Sequence, residues 1–263
     1  MRNVKNPSRF VLMLALILAV AAFPASASAN HSWGNYHWAR TSNPFTLKLG
    51  DNLSSSWDPY LATASSDWSQ SAVLDTTIVG GGTRPKNCRP TSGRVEVCNA
   101  RYGNNGWLGL AQIWASGSHI TQGTAKMNDT YFGSAPYNTP SWKQLVVCQE
   151  VAHTFGLDHQ DENFNNTNLG TCMDYTSNPD GPPSNLHPNK HDYDQLVTIY
   201  SHTDSFNSYD NASPMPRGFA NADVHAQENW GTKVHESANG HSALYVRDFG
   251  NGFKIFTFVF WAE

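Results

Sequence analysis

Apolar and polar positions along the 263 residues fall into short segments of two different periods. Residues 45–49 (FTLKL) alternate and predict a strand. Residues 57–71 predict a helix, with Pro59 in the first turn, where its missing N–H breaks no hydrogen bond. Residues 73–79 are β-rich and stop at Gly80-Gly81-Gly82. Residues 94–98 and 107–115 predict two more strands, the second interrupted by Gly109, and 124–132 a short strand and turn. The clearest helix runs from an N-cap at Thr139, with Pro140 at its first position, to a stop at Gly156. Residues 160–190, rich in Asn, Asp, Pro and Gly, predict a long ordered loop. A second helix is expected over 191–201, a linker over 203–218, and a terminal β-hairpin over 241–262 turning at Gly250-Asn251-Gly252.

This order of strands and helices predicts an α/β (α+β) domain over 30–203. Residues 204–263 follow as a linker and a small β-rich C-terminal appendage. Residues 1–29 read differently. Arg2, Lys5 and Arg9 precede an apolar run from 10 to 23, and Ala27-Ser28-Ala29 offers a small-x-small cleavage site. That is the pattern of a secretory signal peptide, and the run is shorter than the roughly 20 residues that span a bilayer. A secreted chain with no membrane segment after cleavage is therefore expected. Cleavage removes three cations and takes the formal charge from −4 to −7. No Lys/Arg stripe is present, so nucleic acid is not an expected partner. Nothing in the sequence calls for a second copy, and a monomer is expected.

Export permits disulfides. Cys88, Cys98, Cys148 and Cys172 allow three pairings, and the spacings favour Cys88–Cys98 with Cys148–Cys172.

The chemistry is concentrated at residues 149–159 (QEVAHTFGLDH). Gln149 and His153 are four apart and share a helix face, with Glu150 beside it. Gly156 allows a sharp turn that can bring His159 back toward His153. Two imidazoles, a third ligand and a carboxylate suit a catalytic zinc ion with a water to activate. This stretch resembles the metzincin zinc endopeptidases, whose signature H-E-x-x-H-x-x-G-x-x-H is followed by a Met-turn. Cys172-Met173-Asp174-Tyr175 stands where that turn belongs. The resemblance covers about residues 45–203. It implies a mixed twisted sheet with an active-site helix, a Met-turn and a C-terminal helix. It also implies Zn2+ on His153 and His159, Glu150 as general base, Met173 beneath the metal, and Tyr175 as a catalytic assistant. A protein or peptide substrate would lie along the strand near 108–114 by β-augmentation.

Gln149 stands where the family has its first histidine ligand. Three readings follow: Gln149 binds zinc through Oε1, another histidine such as His119 or His187 replaces it, or the domain is a non-catalytic binding protein on the same scaffold. Asp158 is a surface residue rather than a ligand on this reading. The short stretch between residue 29 and residue 45 leaves little room for an inhibitory propeptide, and Cys88 does not fit the matrixin cysteine switch. Latency is then absent or arranged differently.

Overall fold

The computed structural model describes residues 31–209 and 215–262, so the expected signal peptide lies outside the described residues. Among the described residues no helix is long and apolar enough to cross a membrane. In chain order the elements are β1 (His37–Trp38), β2 (Phe45–Asn52), α1 (Asp58–Trp68), β3 (Leu74–Gly80), β4 (Val95–Ala100), β5 (Trp107–Ser116) and β6 (His119–Asn128). They continue with α2 (Asp129–Phe132), α3 (Pro140–His153), α4 (Lys190–Ile199), α5 (Arg217–Ala220), β7 (Thr232–Glu236), β8 (Ser242–Asp248) and β9 (Phe253–Trp261). The fold is mixed α+β, as the order of segments predicts.

One mixed sheet runs in the order β3-β2-β4-β6-β5-β9-β8-β7, with β1 pairing beside β6. The pairs β2–β3, β2–β4 and β4–β6 are parallel, whereas β5, β7, β8 and β9 join antiparallel. The C-terminal strands therefore extend the sheet rather than fold apart from it. β9 is buried along most of its length because each face meets a different core. Phe256, Phe258 and Phe260 join the main core, and Ile255 and Val259 join a smaller one with Trp107, Trp114, Phe219 and Trp230. That explains why 253–261 reads as a near-continuous apolar run instead of an alternating one. The expected linker begins as packed chain: the Ser208 N–H donates to the Ala39 carbonyl, and Asp204 bonds to Arg40.

α3 begins as expected, with Pro140 in the first turn and the Thr139 hydroxyl accepting from the Trp142 N–H. Every residue from Leu145 to His153 is buried, because the helix lies between α1 and strands β5 and β6. Both expected disulfides are present. Cys88–Cys98 bridges the loop before β4 to β4 itself, and Cys148–Cys172 ties α3 to the loop that carries Met173.

Candidate metal centre

The last turn of α3 delivers Gln149, Glu150 and His153, which are 0%, 1% and 1% exposed. The helix then stops at Gly156, whose φ is +100°. A Cβ there would stand 2.4 Å from the Tyr36 carbonyl oxygen, so both the conformation and the space require glycine. The reversal returns His159 to His153: their rings lie 4.6 Å apart, nearly perpendicular. Tyr175 reaches the same place from the Met173 loop, with its ring 4.5 Å from that of His159. His153, His159 and Tyr175 are thus in contact, Gln149 and Glu150 are buried on the helical turn before His153, and Met173 is fully buried in the turn that leads to Tyr175.

Hydrogen bonding fixes which atoms remain available. The Gln149 Nε2 donates to the Cys172 carbonyl at 3.0 Å, which turns Oε1 the other way, buried and without a partner. His153 Nδ1 lies 2.9 Å from the Leu157 carbonyl. A carbonyl only accepts, so Nδ1 carries the proton and Nε2 presents a lone pair. His159 Nδ1 lies 3.1 Å from Glu162 Oε1, and its Nε2 is buried without a partner. Both imidazoles are therefore set in the tautomer that offers Nε2 to a cation, the second by a carboxylate behind it.

Glu150 completes the group. Neither carboxyl oxygen has a partner, and burial pushes its pKa well above the ordinary value. Its carboxyl lies against Gly109 of β5, where a Cβ would stand 2.2 Å from Oε1. The glycine that interrupts the apolar strand pattern is what makes room for this carboxyl. Burial lowers the His153 imidazole, with His159 adding to it. Burial likewise raises the Tyr175 phenol, with the Glu150 charge in the same direction. A buried cluster carrying an orphaned amide oxygen, an orphaned carboxyl and an orphaned imidazole nitrogen fits a divalent metal. An N,N,O donor set also suits zinc.

Glu162 did not stand out in the sequence. Burial would raise its carboxyl, but hydrogen bonds and charge from His159, with further bonds from His235 and Ser242, outweigh that and hold it at about 2. It thereby joins His159 to β7 and β8. Its spacing, three residues beyond His159, is the one sequence signal by which it could have been found.

Two expectations are corrected. The strand at 108–114 is not free to take a peptide, because β9 pairs antiparallel with β5 along its length, from Trp107 opposite Trp261 to Ser116 opposite Phe253. From β9, the Phe258 ring stacks on His153 at 4.5 Å and 6°, and Phe260 meets Tyr175 edge-on at 4.7 Å. Nor do His119 and His187, the two histidines named as substitutes, reach the site. His187 Nδ1 pairs with Asp67 at 2.7 Å, and His119 Nε2 pairs with Asp204 at 3.2 Å.

Comparison with known proteins adds little. No family model matches the chain, and no curated protein matches it. Among solved structures it is similar to one described as the structure of myroilysin. That match has 12% identity and a TM-score of 0.35, covering 63% of this chain and 97% of that one. So loose a likeness leaves the function to be argued from the site itself.

Proposed function

We propose that this protein is a secreted zinc-dependent endopeptidase of the metzincin type, held closed by its own C-terminal strand. The observation that carries the reading is the set of buried, unpartnered atoms, Gln149 Oε1, both Glu150 oxygens and His159 Nε2, beside a His153 whose tautomer leaves Nε2 free. Burying so many polar atoms without partners costs about 1–3 kcal/mol each, so a folded site keeps them only where a ligand completes them.

Gln149 Oε1, His153 Nε2 and His159 Nε2 would hold the metal, with the Cys172 carbonyl orienting the first and Glu162 the last. A zinc ion bound there would supply a Lewis acid to polarise a scissile carbonyl and lower the pKa of a water. Glu150 is placed to accept a proton from the attacking water. Its raised pKa suits the second half of the task, in which the same carboxyl delivers the proton to the leaving amine. Tyr175, with its phenol kept neutral by burial, donates to the oxyanion. An amide is a weaker donor than the imidazole of the family pattern, so metal affinity is expected to be lower than for a three-histidine site.

β9 occupies the strand position that an extended peptide takes in this reading, and its phenylalanines cover the ligands. The C-terminal segment then does what a propeptide does elsewhere, from the opposite end of the chain. The same contact favours the second reading, a closed binding protein whose site never opens. Zinc content and casein hydrolysis decide between them, measured on the purified protein, after limited proteolysis, and for Glu150→Ala. Peptidase activity that appears or rises on removal of C-terminal residues, and is absent in Glu150→Ala, supports the first reading. No hydrolysis in any sample leaves the second.

A further inference from the structure

A second cluster of metal-binding side chains lies away from α3, where the start of the described chain meets β6 and the segment after α4. His37 of β1 is the register partner of His119 at the start of β6, so the sheet itself sets the two side by side. The chain after α4 brings His202 and Asp204 to the same point, and the Asp204 N–H is bonded to the Arg40 carbonyl. The nitrogen and oxygen atoms converge. His37 Nε2 is 3.2 Å from His202 Nε2 and 3.5 Å from Asp204 Oδ2, and Asp204 Oδ1 is 3.2 Å from His119 Nε2 and 3.8 Å from His202 Nε2. The ring of His37 is close to perpendicular to both other imidazoles, at 82° to His119 and 87° to His202.

These spacings have a chemical meaning. Ligands about 2.0–2.1 Å from a tetrahedral zinc lie about 3.3 Å from one another. His37 Nδ1 lies 2.7 Å from the Asn35 carbonyl and so carries the ring proton, which leaves a lone pair on Nε2. That lone pair faces a carboxylate oxygen on one side and a third imidazole on the other. That position is filled by a proton on His202 Nε2, by a second proton on His37, or by a cation shared with Asp204. Behind the carboxylate, Arg40 Nη1 donates to Asp204 Oδ2 at 3.0 Å, the oxygen that also faces His37, while Oδ1 is turned to His119 and His202. A metal ligand with its second oxygen pinned is the usual outer-sphere arrangement.

We propose that His37, His119 and Asp204, whose ligand atoms lie within 4.8 Å of one another, form a structural zinc site separate from the centre around His153, with the exposed His202 turning in from beside His37 as its fourth ligand. A closed N3O set with no free position stabilises rather than catalyses. This one joins β1, β6 and the segment after α4, so it fastens both ends of the main unit to the sheet.

The test is zinc per chain after loading and removal of free metal, compared for the parent, H119A/H202A and H153A/H159A. The exposed variant is the informative one, since the His119 and His202 side chains are 26% and 51% exposed and their loss leaves the core intact. H119A/H202A is expected to hold about one zinc fewer than the parent and to lose the rise in Tm that added zinc gives the parent. H153A/H159A is expected to keep that zinc, and its cobalt form to show the visible bands of a tetrahedral nitrogen–oxygen site. If the peptidase reading fails, the parent total falls, but the difference between parent and H119A/H202A stays at about one. Equal zinc in parent and H119A/H202A, with the same Tm response, overturns the proposal and leaves a His202–His37 hydrogen bond in its place.

Discussion

Replacing Phe258 by alanine separates a strand that closes a working site from one that is merely part of the core. Phe258 is 2% exposed and packs between Trp33 and the His153 ring. Truncating a phenylalanine in such a position costs about 3–5 kcal/mol. All of that is lost by the state with β9 in place and little by a state with β9 detached. The free energy separating closed from open chain falls by the same amount. At 1.4 kcal/mol per tenfold, the open population rises by about 10²- to 10³-fold or somewhat more. If β9 gates the site, hydrolysis of an internally quenched peptide by the zinc-loaded protein rises by that factor, and it vanishes again in Phe258→Ala/Glu150→Ala. The control is Phe45→Ala, equally buried at 2% but packed against Tyr200 and Tyr209, away from His153. It should lose comparable stability without gaining rate. A Phe258→Ala protein that loses the stability yet hydrolyses no faster than the parent refutes the gating argument.

Three further outcomes follow from the same geometry. In metal-free protein, Glu150→Gln should match the parent below the ordinary glutamate pKa and be more stable by about 1–3 kcal/mol at pH 8 in urea titrations, because a carboxyl raised by burial loses stability as pH climbs above its unfolded value of 4.5. Gly109→Ala drives a methyl group into the Glu150 carboxyl and Val146, neither of which is at the free end of an exposed chain; a loss of about 1–3 kcal/mol is expected, partly recovered in Gly109→Ala/Glu150→Ala, and strictly additive effects in that cycle would show that the contact does not exist. Opening Cys148–Cys172 by paired alanine substitution frees a 24-residue separation and should cost about 3–4 kcal/mol by calorimetry, with zinc affinity falling as well, since the bridge aligns Gln149 with the Cys172 carbonyl.

Much of the site was legible because its residues are close in sequence. Gln149, Glu150 and His153 follow helix spacing, Gly156 marks the reversal, and His159 comes three residues later. The two disulfides followed from spacing. What escaped depended on long-range pairing. That β9 lies on β5 and lays Phe258 across His153 joins positions more than 100 residues apart, and an apolar run such as FKIFTFVFW reads alike on a sheet edge or between two cores. His37, His119, His202 and Asp204 were equally opaque, because single histidines scattered along a chain carry no spacing until the sheet register aligns them.

A metal held among Gln149, His153 and His159 would be visible by anomalous diffraction at the zinc absorption edge from zinc-loaded crystals. A peak within bonding distance of Gln149 Oε1, His153 Nε2 and His159 Nε2, absent from crystals of His153→Ala, is the predicted result. Crystals of zinc-loaded protein with no anomalous density at these three atoms would contradict it.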